Sequence, residues 1–202
     1  MFIRICLKKN LYTRKRVKYY SCPKNDKDEF LNLRNKYVNE NRKFVSIDET
    51  SFGRNYLPAF GRSIKGERIY IKRPLTRVTT CSVLSSVTLN EKPIYIKKFG
   101  SFNTQSFYDF LNGLKYPNGT VLLMDNVKFH HSKIIKELAK QKGWDILYTP
   151  AYSPIFNPIE GVFSIVKRLY QKCVSIEKSF ENVTMNHIKS FFGYSFSALS
   201  RF

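Results

Sequence analysis

Three carboxylates stand where rigid elements begin or end. Asp48 closes the apolar run FVSID (44–48), Asp125 closes TVLLMD (120–125), and Glu160 follows the proline-studded segment TPAYSPIFNP. Hard oxygen donors of this kind hold divalent cations. A pair of such cations can clamp the attacking and leaving oxygens of a phosphodiester undergoing displacement. Three neighbouring carboxylates repel one another when no cation is present, so such a cluster is costly as mere structure. Taken singly, each acid has a plainer reading. Asp125-Asn126 is good turn chemistry at a strand end. Asn157 can cap a helix with Pro158 at its first position, which puts Glu160 three residues after the cap, in the capping-box position. The two readings of Glu160 are compatible, because a helix N-terminus favours an ionised carboxylate.

Elements that position these acids are legible from periodicity. FVSID, RVTTCSVLSSV (77–87), PIYIKKF (93–99), TVLLMD and WDILYTP (144–150) read as strands, with Asn90 and Glu91 turning the second into the third. Residues 50–68 carry Gly53, Gly61, Gly66 and Pro58 and read as a loop or loose hairpin. Phe107, Phe110, Leu111 and Leu114 fall on one helix face, with Asn103 or Thr104 as cap. SKIIKELAKQK is a helix that Ser132 can start and Gly143 can end. After the prolines, Ile159, Val162, Phe163, Val166 and Leu169 mark another helix, and residues 174–202 hold one or two more, with Ser179 as a cap. Upstream, DKDEFLNLRNKYV places Phe30, Leu33 and Tyr37 at helical spacing. Helices alternating with apolar strands predict an α/β domain, a mixed sheet covered on both faces. Pro150, Pro154 and Pro158 stiffen the short path from the last strand to the helix bearing Glu160.

The chain is strongly basic. Its 35 Lys and Arg against 15 Asp and Glu give a net charge of +20 over 202 residues. Such a field attracts polyanions, nucleic acid first and an anionic membrane surface second. Residues 1–43 hold 13 Lys or Arg against 4 acids, with LYTRKRVKYY the densest stretch. Cys6, Cys22, Cys81 and Cys173 are scattered without a C-x-x-C pair, so neither a disulfide framework nor a zinc knuckle is expected. The three histidines lack paired zinc-ligand spacing. No apolar run approaches the roughly 18 residues of a membrane span. The start is too short in apolar residues for a secretory signal, and its acid-free run up to Asp26 is also compatible with a mitochondrial address.

Ordered along the chain, IDET around Asp48, LLMDNVKFHHS around Asp125 and YTPAYSPIFNPIEGVFSIVK around Glu160 resemble the DDE transposases of the Tc1/mariner and bacterial IS630 type. The D-N-x-x-x-H phrase matches at Asp125, Asn126 and His130. The S-P-x-x-N-P-I-E phrase matches from Ser153 to Glu160, and the 34 residues between Asp125 and Glu160 fit the DD34E spacing of that group. The resemblance spans about residues 40 to 172. It implies an RNase H-like fold, a mixed five-stranded sheet with helices on both faces. It also implies a DNA endonuclease and strand transferase that uses two Mg²⁺ ions, with Mn²⁺ as substitute. Water cuts a DNA phosphodiester, and the freed 3′-hydroxyl then attacks target DNA. By the same resemblance Asp48, Asp125 and Glu160 are catalytic metal ligands, and Asn126 and His130 position the phosphate or those ligands. Members act as homodimers on paired DNA ends, in a DNA-containing compartment: the nucleus, or the cytosol in bacteria.

The implied division is a basic segment at 1–40, a catalytic domain at 41–173 and a helical tail at 174–202. Family members carry a complete helix-turn-helix region before the catalytic domain, and LKKNLYTRKRVKYY looks like the end of one. Lys8, Lys9, Arg14, Lys15, Arg16 and Lys18 are its DNA-contacting candidates. FGRSIKGE occupies the glycine-rich hairpin of the family without its usual tryptophan. Two other readings fit the same residues: a catalytically silent transposase remnant that binds DNA, and another RNase H-like nuclease acting on hybrids or junctions.

Overall fold

The longest apolar segments become the strands of one five-stranded sheet in the computed structural model, which describes residues 24–53, 68, 70, 80–172 and 174–197. Its strands are β1 (Phe44–Phe52), β2 (Cys81–Thr88), β3 (Ile94–Phe99), β4 (Val121–Met124) and β5 (Asp145–Tyr148). The spatial order is β3-β2-β1-β4-β5. β1 pairs antiparallel with β2 and parallel with β4, and β5 extends the parallel half. This is the expected mixed sheet. The helices are α1 (Lys24–Asn39), α2 (Thr104–Gly113), α3 (Lys133–Gln141), α4 (Ile159–Tyr170), α5 (Ile176–Glu181) and α6 (Met185–Ser197). Short 3₁₀ turns at Lys128–His131 and Pro154–Phe156 precede α3 and α4.

Strand alternation assigns alternate side chains to opposite faces. Val45, Ile47, Leu84, Leu122 and Met124 point to the face covered by α2 and α3. Phe44, Phe52, Val83, Val87, Val121, Leu123 and Leu147 point to the other face, where Ile159, Val162, Phe163 and Val166 of α4 pack. Phe30 of α1 and Ile176, Phe180, Ile188 and Phe192 of α5 and α6 join this second cluster. Helices outside the central motifs therefore share its core. In α1 the buried face runs through Phe30 and Arg34, while Leu33 stays 39% exposed.

Several boundaries differ from the sequence reading. β1 does not end at Asp48 but continues to Phe52, because β2 pairs with it along its length as far as Phe52↔Cys81. β2 starts at Cys81; most of the glycine-rich stretch expected as a hairpin, FGRSIKGE included, lies outside the described residues. Asn103 caps α2 through a reciprocal capping box with Ser106. Ser132 holds the cap position of α3 without a side-chain capping bond, and Gly143 ends that helix at φ 65°. Ser179 is not a cap: it is buried inside α5, and Ser175 caps that helix by accepting from the Lys178 N–H. Cys81 is a free thiol; the other three cysteines lie outside the described residues. Among the described residues no helix is long and apolar enough to cross a membrane.

Candidate functional site

β1 and β4 run parallel only as far as Ser46↔Leu123. Two rungs further, the same register sets Asp48 level with Asp125, the first residue past β4. β4 has ended there while β1 continues, so the parallel sheet opens at the carboxyl end of β4. Crevices at the carboxyl ends of parallel strands are where α/β sheets bind ligands. α4 starts beside the same opening. Asp48, Asp125 and Glu160 line one cavity of about 400 Å³, with Asn126, Thr149 and Asn157 also in its wall. Sequence positions up to 112 residues apart thus meet around one space. Among the described residues no three His, Cys, Asp or Glu side chains are clustered tightly enough to cage a metal ion as they stand. The acids face a shared cavity rather than one point.

Asp48 is the constrained member. It is 8% exposed; its Oδ1 accepts from the Glu49 N–H at 2.7 Å and its Oδ2 from the Asn157 amide at 3.3 Å. Burial raises its pKa from 3.8 to about 8, and the Asp125 carboxylate adds to the rise. The Glu49 N–H works the other way, and Glu160 and Glu49 push it up further. Glu160 is also raised, by burial and by Asp125, against the pull of Lys167. Mutual repulsion is thus built into the site.

Asp125 is held from behind by His130. That ring is fully buried, with Nδ1 2.7 Å from Asp125 Oδ1 and 3.2 Å from the Asp125 carbonyl oxygen. Its Nε2 lies 3.5 Å from Glu49 Oε1. Burial disfavours the imidazolium, but hydrogen bonding to Asp125 and Glu49 outweighs it and raises the His130 pKa to about 9. Phe107 stacks on the ring at 4.4 Å and fixes its plane. Asn126 faces the cavity and accepts from His131 Nε2 at 2.5 Å.

The cap of α4 is not the one expected. The helix starts at Ile159 behind Pro158, so Glu160 sits one residue nearer the N-terminus than a capping box requires. Asn157 turns its side chain to β1, donating to Asp48 and accepting from the Ser46 hydroxyl. Ser46 accepts in turn from the Ile159 N–H at 3.2 Å. A strand serine therefore satisfies the helix terminus and locks α4 to β1 two residues from Asp48. Sequence reasoning missed Ser46 and Glu49, and it gave Asn157 the wrong task. The signal for Ser46 was present, since alternation puts 46 and 48 on one face. The candidates Lys8, Lys9, Arg14, Lys15, Arg16 and Lys18 lie outside the described residues.

Residues 43–181 match the family described as DDE superfamily endonuclease. No curated protein matches the sequence at a significant level. Among solved structures the fold is similar to the Mos1 transposase paired-end complex with left transposon end, at TM-score 0.74 and 14% identity, covering 99% of this chain and 68% of that one. It is also similar to the catalytic domain of Mos1 mariner transposase, at TM-score 0.60 and 12% identity, covering 92% and 95%. The Mos1 mariner paired-end complex with Mn aligns at TM-score 0.71 and 15% identity, over 98% of this chain and 69% of that one. These likenesses establish the RNase H-like fold.

Proposed function

This chain belongs to the DDE superfamily endonucleases, and from that membership we propose that it cuts DNA phosphodiester bonds at the cavity bounded by Asp48, Asp125 and Glu160. The observation that carries the reading is the convergence of these three acids, from β1, the end of β4 and the start of α4, on one cavity.

The donor set fits a hard divalent cation. All three ligands are carboxylates, and the upward push on Asp48 and Glu160, from burial first and from neighbouring carboxylates second, is a cost of ionisation that a bound cation offsets. Asp48, Asp125 and Glu160 would hold two Mg²⁺ ions, with Mn²⁺ as substitute. When bound, such a pair supplies charge stabilisation at the attacking and leaving oxygens of the displacement. The rest of the work belongs to the protein. Asn157 and the Glu49 N–H fix the Asp48 carboxylate. His130 holds Asp125 in one orientation, and Ser46 pins the start of α4 so that Glu160 keeps its place. Positioning of this kind removes the cost of gathering the groups at the moment of reaction.

The finer reading is transposition. The freed 3′-hydroxyl would attack target DNA, and two subunits would act on paired DNA ends. It is supported by the likeness to the Mos1 transposase paired-end complex with left transposon end and to the Mos1 Strand Transfer Complex. The basic segment at 1–40 would add contacts to the DNA backbone. The test is nicking of supercoiled DNA with Mg²⁺ or Mn²⁺, comparing the native chain with Asp48→Asn. Loss of a metal ligand is expected to cost at least about 10²-fold, or roughly 2.7 kcal/mol of barrier. Equal nicking by both proteins, or nicking that persists in chelator, overturns the assignment.

A further inference from the structure

α3 buries Ile135, Leu138 and Ala139 against the sheet. Its opposite face carries Lys133, Lys136 and Lys140, all exposed. A solvated helix face needs charge, and that requirement alone explains some lysines. It does not explain three further features. The lysines line, with His131 and Glu137, one shallow and open depression of about 360 Å³. α3 itself offers one acid against them, Glu137, drawn to Lys133 at 3.7 Å. A helix that only needs solvation gains from interleaved opposite charges, and this one has one acid for three cations. The depression also adjoins the acid cavity. His131 forms part of its wall, stacks on Tyr148 at 3.9 Å and donates to Asn126, which lines the cavity holding Asp125.

We infer that this lysine-lined depression on α3 binds backbone phosphates of the DNA strand that enters the acid cavity. The inference rests on the DNA-cutting reading above and extends it to a surface. Lys133 to Lys140 covers about 10 Å along a helix axis at 1.5 Å per residue. Each strand of duplex DNA passes one phosphate per about 3.4 Å of duplex axis, and its winding path puts successive phosphates further apart than that. The span of the three ammonium groups is therefore that of a short run of about two to four backbone phosphates. Lysine acts at such a place as a mobile point charge, which serves the backbone rather than base sequence. His131 and Asn126 continue the track from the last lysine-bound phosphate toward Asp125.

With a net charge of +20, removal of any lysine weakens DNA binding somewhat, so the test compares two sets of equal charge. The full chain carrying Lys133→Gln, Lys136→Gln and Lys140→Gln is set against one carrying Lys172→Gln, Lys178→Gln and Lys189→Gln, which are exposed residues on the α4–α6 side of the sheet. Binding to a labelled DNA duplex is followed by fluorescence anisotropy across a salt series, without divalent metal. The α3 set is expected to lower affinity about tenfold or more, uniformly across DNA sequences, and to reduce the salt slope by roughly 2–3, near one per lost phosphate contact. The control set is expected to shift affinity about threefold or less with the slope nearly unchanged. Equal effects of the two sets overturn the inference and leave only net charge. A drop in melting temperature confined to the α3 set overturns it too, because those lysines then act on the fold. If the native chain binds no DNA even at low salt, the DNA reading falls together with this surface. If it binds and nicks while the two sets behave alike, only the surface falls.

Discussion

Replacing Asp48 with Asn should make the metal-free protein more stable, although it removes one of the three acids proposed above to support cutting. The folded chain holds Asp48 with a pKa of about 8 against an ordinary 3.8. Between those values the folded state binds the proton and the unfolded state does not, so stability falls as pH rises from about 4 to about 8. At 1.36 kcal/mol per pH unit the full penalty approaches about 6 kcal/mol, an upper bound for a group that can relax. Asn carries no charge and keeps the acceptor for the Glu49 N–H. It sets an amide against the Asn157 amide, at a cost of about 1 kcal/mol. The expected net gain at about pH 9 is roughly 2–4 kcal/mol, or about 5–15 °C in melting temperature for a chain of this size. At about pH 5 most of that gain disappears, because the native Asp48 is then neutral in the folded state. Added Mg²⁺ or Mn²⁺ should reverse the order, stabilising the native chain and leaving the variant unmoved. Thermal melts of both proteins at two pH values, with and without metal, decide the matter. A variant less stable than the native chain at about pH 9 without metal refutes the reasoning and makes Asp48 a structural acceptor.

Three further outcomes are expected. His130 has a folded pKa raised to about 9, so its contribution is full below about pH 6.5 and is lost as pH rises through about 9; His130→Gln should cost roughly 2–3 kcal/mol in urea melts at about pH 6 and less at about pH 9.5. Gly161 of α4 faces Phe191 of α6 so closely that a Cβ would lie 2.4 Å from the ring; Gly161→Ala should destabilise by about 1–3 kcal/mol and slow nicking, since it moves the turn that carries Glu160. Tyr152 holds φ 56° while 80% exposed; Tyr152→Gly should raise the melting temperature by about 2–4 °C, the value of roughly 1 kcal/mol of relieved backbone strain. A fall there would mean that the ring packs in solution.

The strands and the main amphipathic helices were legible because each signal is local. An apolar run such as TVLLMD or a face such as Phe107, Phe110 and Leu111 identifies its own element. The three acids were legible because each closes or follows such a run. The cap of α4 was not legible, because its donor and acceptor lie 113 residues apart and short-range rules gave the task to Asn157. The end of β1 was missed for a similar reason: pairing with β2 extends it past the apolar run, through Glu49, Thr50 and Ser51. Arg34 on the buried face of α1, donating to the Ser195 carbonyl oxygen at 3.2 Å, defeats any rule that counts only apolar side chains.

Tyr152 and Asp48 have a consequence for how such a chain ages. Both hold the fold back, one through its backbone and one through its charge, and neither is needed for the core. A single base change converts either codon to asparagine, which accepts a positive φ and carries no charge. A copy freed from selection for cutting DNA therefore has a downhill route: the centre erases itself by changes that improve folding, long before the sheet decays. Among descendants of this chain, asparagine at 48 or 152 on an intact core would be the mark of a retired element.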